Sequence, residues 1–184
     1  MASDLADANE LDMDGEYSKC ITHYESSLFF TSSISDKADI LQKIGISYYM
    51  IGIYDKAIDN TMSALEIYES LDDSIRIGNS LNNLGAFYEV QGKDKQALVF
   101  FNKSMELSKT LGDTLSVASS LNNIGCIKLN LGLTDEALED LYSSLAINKK
   151  YDNKLSIIMN YRNIGNVYYT TKEYYSAIEM HDRP

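Results

Sequence analysis

Proline is nearly missing from this chain of 184 residues: the single one is Pro184, at the last position. Proline removes a backbone donor and clashes with the preceding turn, so without it no helix upstream need break. Cysteine is almost as scarce, with Cys20 and Cys126 alone, too few for the disulfide frameworks of small secreted domains. The expected compartment is therefore reducing and cytoplasmic, or periplasmic for a chain whose export signal has been removed. Basic residues are outnumbered, 16 Lys and Arg against 27 Asp and Glu, for a formal charge of -11. That balance repels a phosphate backbone unless the cations gather on one face, and they are scattered, so no nucleic-acid partner is expected. No apolar run approaches the roughly 20 residues that cross a bilayer, and the opening stretch MASDLADANELDMDGE is acidic where a signal peptide is basic and then apolar. Neither a membrane partner nor a signal peptide is expected.

What is present is an ordinary apolar content, 45% against 23% charged, enough for a continuous core. It is organised by repetition. Leu41-Gln42-Lys43-Ile44-Gly45 recurs as Leu81-Asn82-Asn83-Leu84-Gly85, as Leu121-Asn122-Asn123-Ile124-Gly125 and as Tyr161-Arg162-Asn163-Ile164-Gly165, each 40 residues after the last. Ala57, Ala97, Ala137 and Ala177 keep the same step, and Gly52, Gly92 and Gly132 stand five residues before the first three. Two markers held in register over four cycles define a repeat architecture.

Within one cycle Leu81, Leu84, Gly85 and Tyr88 fall at i, i+3, i+4 and i+7, a single stripe on a helix of period 3.6 that is expected to be buried. After Gly92 comes the polar turn Lys93-Asp94-Lys95, and a second helix follows with Ala97, Leu98, Phe101 and Met105 inward. Each cycle is thus an antiparallel helix pair. Gly85 and Ala97, nearly bare of side chain, let the two backbones approach where the hairpin is tightest. Asp73, Asp113 and Asn153 stand where each next helix starts and are expected to cap it by accepting from its unpaired N–H groups.

These residues carry a resemblance. The series Leu41, Ile44, Gly45, Tyr48, Gly52, Tyr54 and Ala57 resembles the tetratricopeptide repeat, strongly over residues 38–184. The chain departs from that family in two ways, a period of 40 rather than 34 and no proline closing the second helix. The longer spacing is similar to kinesin light chains, polarity adaptors of the LGN type, and the sensory parts of bacterial kinases, cyclases and peptide-responsive regulators. The resemblance implies an all-α solenoid of antiparallel hairpins winding into a right-handed superhelix. The expected division is a degenerate capping repeat over 1–36, full repeats over 37–73, 74–113 and 114–153, and a fourth over 154–184 with an incomplete second helix. The first unit is marked by Gly15-Glu16-Tyr17-Ser18-Lys19-Cys20-Ile21, which repeats Gly52-Ile53-Tyr54-Asp55-Lys56-Ala57-Ile58. Its first helix is rich in Asp4, Asp7, Glu10, Asp12 and Asp14. The end at Glu179 to Pro184 reads as a truncated or divergent repeat.

Opposite the buried stripe lie the positions that line the inner wall of such superhelices. Here they are Asp39, Lys43, Ile46 and Met50; Asn79, Asn83, Ala86 and Val90; Ser119, Asn123, Cys126 and Asn130; Met159, Asn163, Asn166 and Thr170. Only Asp39 and Lys43 are charged, where an ordinary exposed helix face would be rich in Lys and Glu. Asparagine is a poorer helix former, and its amide matches the donors and acceptors of an extended peptide backbone. The column Asn83, Asn123 and Asn163 resembles the asparagine ladder of O-GlcNAc transferase and kinesin light chain superhelices, which implies a peptide-backbone grip. Asn82, Asn122 and Arg162 extend that wall, Arg162 with a bidentate hold on a carboxylate. Tyr49 and Tyr169 are aromatic contacts. The competing reading is that neighbouring amides bond to one another between helices and bind nothing.

The remaining signals point to packing. Glu10-x-Asp12-x-Asp14-Gly15 begins like a calcium loop, but Ile21 stands where a bidentate Glu is needed. His23 and His181 have no partner spacing for zinc, the glycines come singly rather than as a phosphate loop, and no nucleophile motif occurs. Cys20 occupies the small hairpin position and Cys126 is an inert small side chain. The expectation is a scaffold that is not an enzyme, carries no cofactor and binds a protein or peptide in its groove. The alternatives are a sensory segment of a larger signalling protein, or a structural solenoid that forms a homodimer through an open end.

Overall fold

The computed structural model describes residues 16–183. Pro184, the acidic segment holding Asp4, Asp7, Glu10, Asp12 and Asp14, and the calcium-like loop start lie outside the described residues. Among those described there is no strand, and the chain forms nine helices: α1 (Tyr17–Phe30), α2 (Ile34–Met50), α3 (Tyr54–Ser70), α4 (Ser74–Val90), α5 (Asp94–Leu111), α6 (Thr114–Asn130), α7 (Thr134–Lys150), α8 (Lys154–Thr170) and α9 (Tyr174–His181). None of them is long and apolar enough to cross a membrane. The fold is an all-α stack of helix hairpins, in two compact units, Met1–Gly92 and Lys93–Pro184.

In the first unit α1 packs on α2, α2 on α3 and α3 on α4; in the second α5 packs on α6, α6 on α7, α7 on α8 and α8 on α9. Turns of two or three residues force this neighbour-on-neighbour order. Where they leave a first helix, Gly52 has φ 79° and Gly132 has φ 77°, left-handed values that cost a side chain energy and glycine none. The residue after each glycine then donates back across the turn, Ile53 to the Tyr48 carbonyl and Leu133 to the Lys128 carbonyl, each at 2.9 Å. Each bond satisfies a carbonyl that the helix end leaves open. The starts are capped as the side chains suggest: Asp73, Asp113 and Asn153 accept from the backbone N–H groups of Arg76, Ser116 and Ser156 at 3.1, 3.1 and 3.4 Å.

The small residues have the steric role read from the sequence. A Cβ built on Gly45 would lie 3.0 Å from the Ala57 carbonyl and collide with Oγ1 of Thr61; one on Gly125 would lie 3.1 Å from the Ala137 carbonyl and 2.8 Å from Cγ of Leu141. His181 takes the corresponding place against Gly165, with Nε2 2.8 Å from such a Cβ. Its role is packing. Cys20 is also fully buried, at the small hairpin position.

Burial follows the helical stripe with two adjustments. Leu81 and Leu84 are buried, but Tyr88 is half-buried and its neighbour Phe87 goes inside, where its ring stacks on Tyr49 at 4.7 Å. On α5, Ala97 and Phe101 are buried, while Leu98 and Met105 are only half covered and Ser104 and Ser108 fill the inner face. In the second unit Ala137, Leu141, Leu145, Tyr161, Ile164 and Val167 form one continuous cluster, and Cys126 packs against it.

Candidate functional site

The wall positions are displayed as an open face within each unit. On α2, Ile46 and Met50 are exposed and Asp39 and Lys43 half-buried; on α4, Asn79 and Val90 are exposed and Asn83 and Ala86 half-buried. On α6, Ser119 and Asn130 are exposed and Asn123 and Cys126 half-buried; on α8, Met159, Asn166 and Thr170 are exposed and Asn163 half-buried. None is buried, whereas Ile44 and Leu84 on the opposite faces of α2 and α4, and Ile124 and Ile164 on those of α6 and α8, all are. The helical period alone produces this separation.

Side-chain bonding then sorts the candidate residues. Asn122, expected on the wall, is buried, and its Oδ1 accepts from Nδ2 of Asn160 at 3.0 Å and Nδ2 of Asn163 at 2.9 Å. Asn160 also donates to Oγ of Ser144 at 3.0 Å and accepts at Oδ1 from Asn148 at 2.9 Å; the Ser144 hydroxyl donates to the Ala118 carbonyl at 2.7 Å. Asn122 therefore joins α6 to α8 and does not face a ligand. The reason is desolvation: a buried amide must find a partner, and in this cluster the partners are other amides. Asn163 shares that bond but keeps part of its surface open. Asn148, Asn160 and Ser144 were not among the sequence candidates, and no local motif marks them.

Of the remaining candidates, Asn79, Asn130, Arg162 and Asn166 are exposed, and Asn82, Asn83 and Asn123 are half-buried. Tyr49 is half-buried and engaged with Phe87 and, at 5.9 Å, Tyr54, so its ring is largely spent on packing. Tyr169 is 67% exposed, with its ring edge toward Tyr174 at 5.8 Å.

The first unit places charge where the second places amides. The Tyr68 hydroxyl on α3 donates to Oδ1 of Asp39 at 2.8 Å, and Arg76 on α4 reaches both oxygens of Asp39, with Nε at 2.9 Å and a terminal nitrogen at 3.2 Å. The other terminal nitrogen of Arg76 pairs with Asp73. Burial and the Asp39 carboxylate hold the Tyr68 phenol far above its ordinary value, so it stays protonated as a donor. Beside this network, residues of α2, α3 and α4 enclose a cavity of about 400 Å³. A smaller one, about 290 Å³, lies between Tyr142, Leu145 and Lys149 on α7 and Tyr161, Met180 and Arg183. There Lys149, and after it Arg183, lower the Tyr161 phenol, while burial and a 3.1 Å contact with the Tyr168 hydroxyl push Tyr142 up to about 12.

Comparison with known proteins agrees with this geometry. Residues 76–150 match the tetratricopeptide repeat family model. The photosystem I assembly protein Ycf3 of Prochlorococcus marinus is 32% identical over 82 residues, 45% of this chain and 44% of that protein. The match thus spans less than half the length of these curated relatives. Among solved structures, BtubC (BKLC) from P. vanneervenii superimposes with a TM-score of 0.80 at 22% identity, over 96% of this chain and 74% of that one. A Rap protein complexed with Competence and Sporulation Factor superimposes with a TM-score of 0.82 at 21% identity, over 98% of this chain and 51% of that one. At these identities the structural likeness speaks for the fold.

Proposed function

We propose that this chain, whose residues 76–150 match the tetratricopeptide repeat family model, works by binding rather than catalysis, holding an extended segment of a partner protein along the open face that the first-position helices present within each unit. One observation carries this reading: every wall position is at least partly open to solvent, yet only Asp39 and Lys43 among them bear charge. A face of amides and small side chains, with Ile46, Met50, Val90 and Met159 as exposed apolar contacts, has no folding advantage over Lys and Glu when left in water, whereas Asn83, Asn130 and Asn166, with Asn123 beside them, present amide groups to a peptide backbone. Asn79, Asn82, Arg162 and Tyr169 widen the contact. Asn122 and Tyr49 support the wall from behind, and Asn163 does both. Affinity on the order of micromolar, about -8 kcal/mol, is typical of such grooves.

A random peptide library panned against the protein tests this, with enriched peptides measured by fluorescence anisotropy. The double variant N83A/N123A avoids the buried amide cluster and should keep its helicity. It should bind the enriched peptides about 10- to 30-fold more weakly, from two hydrogen bonds of about 1 kcal/mol each. Equal affinity would remove the asparagine wall from the account.

A second reading is a sensory segment within a larger signalling protein, which the likeness to a Rap protein solved with its factor favours; the name of the Ycf3 relatives points instead to assembly of other proteins. Both are uses of the same wall. Self-association has its own observation, the exposed apolar side chains Leu155 and Ile158 of α8 and Tyr175 and Ile178 of α9, open by 71%, 50%, 93% and 59%. Light scattering over a range of concentrations tests it, and a persistent monomer excludes it. Binding to polypeptides in the cytoplasm accords with a chain of net charge -11 that has two cysteines.

A further inference from the structure

The cavity of the first unit carries more than its place beside the wall. Its lining includes Asp36, Asp39, Lys43 and Arg76 as charged groups, with Ile40 and the Tyr68 ring as carbon surface and Gln42, Asn79 and Ser80 as neutral polar groups. Mixed signs invite either an acidic or a basic ligand, and the bonding decides between them. All three guanidinium nitrogens of Arg76 are taken, by Asp39 and Asp73. The Lys43 ammonium stands over the Tyr24 ring, 5.6 Å from its centre. Both cations are therefore engaged, and an incoming carboxylate would have to break an existing pair to gain one.

The anionic side is different. Asp36 lies in the first turn of α2, exposed, and its backbone N–H donates to Oγ of Ser33 at 3.2 Å. Among the described residues its carboxylate meets no cation. The lining itself balances two carboxylates against two cations, but Asp73, outside it, also pairs with Arg76, so the Asp36 carboxylate is the charge left without a counter-ion there. Two neutral groups add hydrogen-bonding capacity. The exposed Asn79 amide can offer its oxygen to a cationic head, whereas Gln42 Nε2, buried without an acceptor while Oε1 accepts from Ser80 at 2.7 Å, is a donor and suits a backbone carbonyl of the bound segment. A long aliphatic stem ending in a cation fits this set, the stem against Ile40 and Tyr68 and the head at Asp36.

We propose that this cavity seats one arginine or lysine side chain of the bound segment, and so makes the protein selective for basic partner peptides. The proposal rests on the wall reading above for the rest of the peptide, but the subsite can be tested apart from it. The acidic field of the whole chain would also speed the encounter with a basic segment, in a salt-dependent way.

The probe is N-acetyl-arginine methylamide, titrated into isotope-labelled protein and followed by NMR, beside its neutral isostere N-acetyl-citrulline methylamide and N-acetyl-glutamate methylamide. The arginine derivative should shift the backbone amides of Ile40, Asn79 and Ser80 and bind about threefold more tightly than citrulline, the size of effect for one partly exposed ion pair. Glutamate should be weakest. In D36N the arginine and citrulline derivatives should bind alike, with the remaining spectrum unchanged. D36K should reverse the order, favouring glutamate. Equal binding of arginine and citrulline to the unaltered protein, or no shift at those three amides at the solubility limit of the arginine probe, overturns the subsite. Either result would leave N83A/N123A to decide the wall by itself, so the two readings fail separately.

Discussion

The Asn160 carboxamide donates to Oδ1 of Asn122 at 3.0 Å with both residues out of water, one on α8 and the other on α6. The pair is the centre of a hydrogen-bonded set in which Ser144, Asn148 and Asn163 also take part. Asn160→Ala would leave the Asn148 amino group with only its 3.3 Å bond to Ser144 Oγ and the Asn122 acceptor with only Asn163. The expected cost is about 2 kcal/mol, read as a shift of the urea midpoint or as a fall in Tm of about 4–8 °C. Asn166→Ala, nearly two turns further and exposed, should change stability by less than about 0.5 kcal/mol. Similar losses for the two would show the cluster to be without energetic weight.

Gly125→Ala should wedge α6 from α7. The added methyl would meet Cγ of Leu141 at 2.8 Å and the Ala137 carbonyl at 3.1 Å, and neither can swing aside because one is a branch point and the other is backbone. Overpacking of this kind costs about 1–3 kcal/mol, although alanine is the better helix former. A rise in thermal stability for this variant would contradict the close approach.

Lys172 has φ 66° in the turn after α8, where the turn after α2 has Gly52. A side chain in that conformation is strained by about 1 kcal/mol, and part of the gain from removing it is offset by glycine's greater freedom in the unfolded chain. Lys172→Gly should therefore stabilise the protein by about 0.5 kcal/mol. Urea melts of the two proteins side by side would reveal it, and a loss of stability would count against strain in that turn.

Asp113 makes stability depend on pH. The Ser116 hydroxyl, at 2.7 Å, and then the Ser116 backbone N–H hold its carboxyl below the usual carboxylate range. A depressed folded-state pKa stabilises above the unfolded value, near 3.9, and the contribution is lost as pH falls through the folded value. Asp113→Ala should cost about 1 kcal/mol at neutral pH as a lost cap, and the gap between it and the parent should shrink below about pH 4. A gap that is constant from pH 7 to pH 3 would mean the cap acts without its charge.

Much of the fold was legible because it is written in local, periodic terms. The recurrence of Gly45 and Gly125 against Ala57 and Ala137 states a hairpin contact that both units make, and Asp73, Asp113 and Asn153 state where helices start. The open face was legible too, since Ile46 and Asn166 stand half a helical turn from the buried stripe. Asn122 was misplaced for a reason the period itself supplies. It adjoins Asn123, about 100° round the helix, at the border between wall and stripe, where composition favours neither side.

The sequence alone thus determined the helix pairs, their tight points, their caps and the uncharged face, because each follows from spacing within some 40 residues. Tertiary structure decided which polar side chains face water and which face each other. Asn160 meets Asn122 across 38 positions, and Arg76 meets Asp39 across 37. Whether an amide or a carboxylate is satisfied by a neighbour or left for a ligand depends on distances between helices, and no spacing along the chain expresses those.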